Sequence, residues 1–320
     1  MTEKYKIQAW TFAMQARPLS AAQMKREQHV SRAESRFWWS KDGVRLHLLD
    51  HGGADTTAPV VLCLPGLTRN HRDFGPFVSH YGSALAGKAS IWCADLRGRG
   101  ESGWAKDPLT YVPLIYLQDM ECLIEQLRPS RLILVGTSLG GILSMLMAGS
   151  FGHLIEGVLL NDIGPVVEAT GLQRIRGYVG KTGPYPTWMH AAHVLQETQG
   201  AAYPDFAMTD WLAMAKRLGR LEPNGRIIMD YDPRISEPFK LPGGDGSSDL
   251  WPLFELLAQK PVTVLRGESS DILAAETLAQ MAARHPSVTA VTVPGVGHAP
   301  VLDEPLATAA LDAFFAKVLP

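Results

Sequence analysis

The stretch Leu132-Ile133-Leu134-Val135-Gly136-Thr137-Ser138-Leu139-Gly140-Gly141 decides how the rest of the chain is read. Its first four residues are apolar on both faces, as a strand in the middle of a parallel sheet requires. From Leu139 to about Phe151 a strongly apolar helical pattern follows. Ser138 therefore stands on a strand-to-helix turn. Glycines two residues before and after it remove the Cβ atoms that would strike the adjacent strand or helix. The hydroxyl is raised at the carboxyl edge of the sheet, where the positive end of a helix dipole favours developing negative charge. A plain glycine-rich turn shares the Gly-x-Ser-x-Gly spelling; the flanking strand and helix favour a nucleophile.

The same alternation extends outward in both directions. Upstream, Lys41-Asp42-Gly43 between the apolar runs Phe37–Trp39 and Val44–Leu48 reads as a β-hairpin. Val60–Leu64 and Ile91–Ala94 are further buried strands, and a helix is predicted from about Tyr111 to Leu127 with Pro113 in its first turn. Downstream come strands at Gly157–Leu160, Val262–Leu265 and Val288–Val293. Helices are predicted near Ala274–Arg284 and over Glu304–Val318. Strands alternating with helices imply an α/β architecture with a mostly parallel, doubly wound sheet.

Between Pro165 and Trp251 the pattern is helical and rich in aromatic residues and methionine, including Tyr178, Trp188, Tyr203, Trp211 and Met214. It ends in Leu241-Pro242-Gly243-Gly244-Asp245-Gly246-Ser247-Ser248, which reads as a flexible return loop. Because the chain leaves one sheet and re-enters it, residues 166–251 are expected to form a helical cap on a core made of 36–165 and 252–320. Residues 1–35 read as a polar, partly helical extension.

Composition bounds the function. The 320 residues are 46% hydrophobic and 19% charged, with a formal net charge of −2. No basic run suits phosphate neutralisation, so nucleic acid is not expected as a partner. No stretch reaches the roughly 18 apolar residues of a membrane span, and the amino terminus lacks the apolar core of a secretory signal. A cytoplasmic location is expected. Cys63, Cys93 and Cys122 each sit in an apolar segment without a Cys-x-x-Cys partner, which reads as buried thiols and not as a metal or redox site. The oligomeric state is not legible.

A serine hydroxyl needs a base. Of ten histidines, His298 alone follows the last strand and precedes the last helix, in a loop that can reach over Ser138. The imidazole in turn needs a carboxylate. Asp271, in Arg266-Gly267-Glu268-Ser269-Ser270-Asp271, is expected to supply it, completing the order Ser138, Asp271, His298. Two competitors stand nearby: Glu268, closer to the strand end, and Asp162, just after the strand that follows the nucleophile helix. Acyl transfer also needs donors to the oxyanion. The N–H of Leu139 is one candidate, and the N–H of Leu67, in Leu64-Pro65-Gly66-Leu67-Thr68, is the other.

The motifs LPGLTRN, DLRGRGESG, GTSLGG, RGESSDIL and VPGVGHAP, in this order, resemble the α/β-hydrolase superfamily, in particular its capped bacterial esterase-like serine hydrolases. The resemblance covers the chain from about Arg36 onward. It implies the α/β-hydrolase fold, the triad and oxyanion donors named above, no cofactor and a small-molecule ester substrate. The chain departs from many relatives in having Pro65-Gly66 where they have His-Gly. The aromatic cap suggests a mainly apolar substrate of small to medium size. Rival readings are a lactonase, a C–C bond hydrolase on the same triad, and a non-catalytic ligand receptor. Asp230 and Asp232 could anchor a substrate amine, as in proline-type aminopeptidases, although a solvated loop is the simpler reading.

Overall fold

Five consecutive buried residues, Val60–Leu64, form strand β3 at the centre of an eight-stranded sheet. The computed structural model describes residues 33–52, 57–241 and 249–319. The extension up to residue 32 and the return loop at 242–248 lie outside the described residues.

The hairpin at the edge is β1 (Glu34–Trp39) and β2 (Arg45–Asp50), paired antiparallel. Gly43 takes the positive φ of 78° that the turn requires. β4 (Ser90–Asp95) and β5 (Leu132–Thr137) flank β3 in parallel, followed by β6 (Ile155–Asn161). After a long excursion the chain re-enters with β9 (Val262–Gly267) on β6 and ends the sheet with β10 (Val288–Val293). The order is β1-β2-β4-β3-β5-β6-β9-β10, antiparallel only where β2 meets its two neighbours. This is the mostly parallel α/β sheet that the alternating pattern predicted.

Helices cover both faces. Gly157 of β6 faces Phe314 and Val318 of the last helix (Pro305–Val318). Leu160, three residues on and so on the opposite face, meets Gly141 of the helix Leu139–Phe151. Phe77 and Tyr81 of α1 (Gly75–Ala84) pack on Phe315, placing α1 beside that last helix. The helix Pro113–Leu127, α2, opens on its proline and packs on the helix that follows Ser138, which is α3.

The excursion between β6 and β9 holds α4 (Ala169–Tyr178), α5 (Trp188–Gln199), α6 (Met208–Leu218) and α7 (Trp251–Glu255). It also contains a two-stranded ribbon, β7 (Gly219–Leu221) with β8 (Ile227–Met229), which the helical pattern did not announce. Strands of three residues are too short to show a period. Tyr203, Phe206 and Trp211 lie within 5.8 Å of one another, ring to ring, and Trp211 and Met214 are buried in the core that continues from the sheet.

Asp230 and Asp232 correct the sequence reading. Neither is solvated, and neither is free to hold an amine. Asp232 is fully buried, accepts from the Tyr111 hydroxyl at 2.6 Å and pairs with Arg234. Asp230 pairs with Arg72 at 2.6 Å. Backbone bonds from Gly100 to Asp230 and from Asp232 to Gly98 stitch the excursion to the Asp95–Gly103 loop. α8 (Ala275–Arg284) and α9 (Pro305–Val318) complete the fold. No helix among the described residues is long and apolar enough to cross a membrane. All three cysteines are buried.

The turn at Ser138 is the tightest point. A Cβ on Gly140 would collide with the Leu64 carbonyl, and one on Gly136 would collide with the Gly140 carbonyl. Gly140→Ala is expected to lower the unfolding free energy by about 3 kcal/mol or more. Gly177→Ala, in α4 with nothing within 4 Å of its added Cβ, should raise it by about 0.5–1 kcal/mol. Urea midpoints of the two variants, compared with the parent chain, check both.

Candidate active site

Ser138 has φ 53° and ψ −117°, a conformation that non-glycine residues avoid, between the end of β5 and the first turn of α3. Its own N–H donates to the Asn161 carbonyl, and its carbonyl accepts from Gly141 and Ile142. The hydroxyl is thereby turned out of both elements.

His298 arrives from the loop after β10. That loop is tied at several points: Gly297 N–H donates to Ala202 O, the Tyr203 hydroxyl to Ala299 O, and Asn161 Nδ2 to Pro300 O. Glu304 then accepts from the N–H groups of Val301 and Leu302. With its loop fixed on three sides, His298 places Nε2 at 2.9 Å from Ser138 Oγ. Its Nδ1 lies 2.7 Å from Oδ2 of Asp162.

The carboxylate on His298 is therefore Asp162 and not Asp271. Asp162 follows β6 directly, at φ 55°, and is fully buried. Its charge is met by the Gly267 N–H on Oδ1, and by the Ser270 hydroxyl and His298 on Oδ2. Asp271 is held elsewhere, in a two-armed pair with Arg174 of α4 at 2.6 and 2.8 Å. Burial raises the Asp271 pKa, but the Arg174 bonds outweigh it and leave the carboxyl below its ordinary value. Glu268 accepts from the Gly295 N–H and shapes the turn.

Of the two expected oxyanion donors, Leu139 directly follows Ser138 and Leu67 lies in the loop after β3. Leu139 is the first residue of α3, so its N–H has no intrahelical partner. Leu67 lines the same cleft as Ser138 and His298. Its carbonyl accepts from Arg99 Nε at 2.9 Å, which fixes the loop from behind. Arg99 is buried, with its guanidinium over the Tyr116 ring at 4.9 Å.

The cleft is narrow and partly open to solvent. Of the aromatic residues and methionine named in the excursion, Tyr178 and Tyr203 line it; Trp188, Trp211 and Met214 do not. Arg69, Asp73 and Gln199 line it as well, so its wall is more polar than the sequence suggested. The sequence reading assigns none of the three a role, although Arg69 directly follows Thr68, the last residue of the predicted oxyanion loop, within the motif LPGLTRN.

Among the described residues, His47, His71 and Asp95 are the one group spaced for a metal ion. Both Nδ1 atoms donate to Asp95 Oδ2 at 2.8 Å, and the N–H groups of His71 and Glu101 add two more bonds. Burial penalises the charged carboxylate, yet these donors hold its pKa down at about 2. The cluster is a hydrogen-bond hub tying β2, β4 and the loop after β3.

What the arrangement can do chemically is transfer an acyl group: a hydroxyl, a base, a buried carboxylate and N–H groups at one point. Comparison with known proteins shows a hydrolase family. Residues 61–311 match the model of the alpha/beta hydrolase family. The chain is 35% identical to the 3-hydroxybutyrate-oligomer hydrolase of Cupriavidus necator over 83% of its length and 91% of that protein's. It is 27% identical to the 2-(acetamidomethylene)succinate hydrolase of Mesorhizobium japonicum, over 76% and 82% of the two chains. The crystal structure of an alpha/beta hydrolase from Novosphingobium aromaticivorans superposes with a TM-score of 0.83 at 50% identity, covering 90% of this chain and 99% of that one.

The two carboxylates can be told apart by experiment. Asp162→Asn should slow fluorophosphonate labelling of Ser138 by about 10³- to 10⁴-fold. Asp271→Asn should leave that rate close to the parent value, because its partner is Arg174.

Proposed function

The chain belongs to the alpha/beta hydrolase family, and from that premise we propose that it is a serine hydrolase cleaving carboxylic esters through an acyl-enzyme. The observation that carries this reading is the unbroken line Ser138 Oγ, His298 Nε2, His298 Nδ1, Asp162 Oδ2, at 2.9 and 2.7 Å.

In this reading Ser138 Oγ attacks the ester carbonyl carbon as His298 Nε2 takes its proton. The imidazolium that forms is stabilised by Asp162, which also keeps the Nδ1–H tautomer. Negative charge on the carbonyl oxygen is met by the Leu67 and Leu139 N–H groups at the head of α3. His298 returns the proton to the departing alcohol. Water, deprotonated in turn by His298, releases the acid from Ser138.

Residues 166–251 act as a cap in this proposal. Tyr178, Gln199 and Tyr203 of the excursion line the cleft with Leu67, Ser138 and His298, so a substrate in it would touch both excursion and sheet. The wall pairs aromatic rings with polar groups and suits a small to medium ester that is not wholly apolar. The Cupriavidus relative is named for an oligomer of a hydroxy acid. Hydroxy acids oligomerise through ester bonds, which supports an ester over a C–C bond. A lactone would meet the same side chains and is separated by substrate profiling.

Ser138→Ala is expected to abolish hydrolysis of p-nitrophenyl acetate and butyrate, and to remove the fluorophosphonate adduct seen by mass spectrometry. Turnover retained by this variant would overturn the assignment. Labelling of the parent chain without any product release would favour a ligand receptor instead.

A further inference from the structure

We propose that Arg69 is a carboxylate-binding residue, so that the preferred substrate is an ester that also carries a free carboxylate. The proposal deepens the ester-hydrolase reading and rests on it.

Arg69 lies in the cleft and its stem leans over the turn that leads to Leu67. Its Cγ lies 3.4 Å from the point where a Cβ on Gly66 would sit, and Ser138 Cβ lies 3.7 Å from that same point. Arg69 Cγ and Ser138 Cβ thus both border the space that a Gly66 side chain would take. The Arg69 side chain is only 14% exposed, so most of its water has already been removed.

Its protein partners leave the guanidinium short of a full anionic match. Gln199, a buried amide at the end of α5, accepts from one nitrogen at 2.7 Å. The Tyr203 hydroxyl, whose proton goes to Ala299 O, lies beside the guanidinium. The nearest carboxylate, Asp73, stands 3.6 Å away, beyond hydrogen-bond distance. Arg174 shows the contrast. Its fork is filled by both oxygens of Asp271 at 2.6 and 2.8 Å. A guanidinium has five donors in a planar fork, so Arg69 is anchored in place with donors to spare.

A carboxylate is the group that fits. It can accept two parallel N–H bonds from the fork, and such charge-assisted pairs are stronger than neutral ones. Among the cleft-lining residues the other ionisable side chains are Asp73 and His298, together with the Tyr178 and Tyr203 hydroxyls, both pushed up by burial and so neutral at physiological pH. Asp73 competes with a ligand carboxylate for the same cation.

The test uses two p-nitrophenyl esters of glutaric acid, one with the distal carboxyl free and one with it methylated. The parent enzyme is expected to prefer the free acid in kcat/KM by roughly 10- to 100-fold, chiefly through KM. Arg69→Met should bring that ratio to about one, and Arg69→Lys should restore only part of it. Asp73→Asn should raise the ratio above that of the parent. A parent ratio of one or less, or a fall in both esters together with the ratio preserved in Arg69→Met, overturns the proposal.

A binding arm separates this from failure of the ester reading. In the Ser138→Ala background, calorimetry should show monomethyl glutarate binding more tightly than dimethyl glutarate, with the difference lost on adding Arg69→Met. If that difference is present while neither ester is turned over by the parent enzyme, the ester reading fails and the carboxylate site stands. Equal binding of the two ligands removes the carboxylate site.

Discussion

Everything in the cleft is measured from the point where β5 turns into α3. At Gly140 the helix approaches the Leu64 carbonyl so closely that no side chain fits, and Ser138 absorbs the change of direction in a disfavoured backbone conformation. Such strain persists only where the surroundings over-determine it. Here those surroundings are the parallel strands β3 and β6 on either side of β5. β3 ends just before the loop that carries Leu67. β6 ends just before Asp162. The sheet that holds the elbow therefore also delivers the Leu67 loop and Asp162 from the two strands beside it.

This geometry explains why the acid was misread. Asp162 and Asp271 both fall between Ser138 and His298 in the chain, so order alone accepts either. Strand register separates them. Asp162 comes directly after the last β6 residue, and β9 lies beside it with the Gly267 N–H free to donate to its Oδ1. Asp271 stands four residues beyond the end of β9, where Arg174 from α4 captures it. A sequence shows neither which neighbour a strand end faces nor which cation folds back onto a loop. The local patterns were different. The apolar runs of β3, β5 and β6, Pro113 at the head of α2, and the stretch Leu139–Phe151 of α3 are set by period and capping, and they were legible.

The excursion was legible as helical and apolar but not in what it does with those residues. Tyr203, Phe206 and Trp211 pack on one another within the same continuous core as the sheet, because a segment leaving the sheet has to bury its apolar face. Its polar residues make the connection to the sheet domain. Asp230 and Asp232 reach Arg72, Tyr111 and the backbone of the Asp95 loop. Buried carboxylates of this kind depend on their partners, since removing one partner leaves an uncompensated charge. Composition counts such acids as surface charge; only their long-range partners reveal otherwise.

The loop from Leu64 to His71 shows how two arginines act on one short segment from opposite sides. Behind it, Arg99 is buried, donates to the carbonyls of Leu67 and Arg97, and has no carboxylate within salt-bridge distance among the described residues. A carbonyl can accept its hydrogen bonds but cannot neutralise its charge. Arg69 stands in front of the loop, where Asp73 offsets its charge only at 3.6 Å. Between them lies the Leu67 backbone, with the Gly66 carbonyl accepting from Arg69 N–H and Asp95 accepting from His71 N–H. Each of these anchors is a bond to the loop's own backbone, so the loop's position is set without any ligand. Groups held in this way need no rearrangement when charge appears beside them.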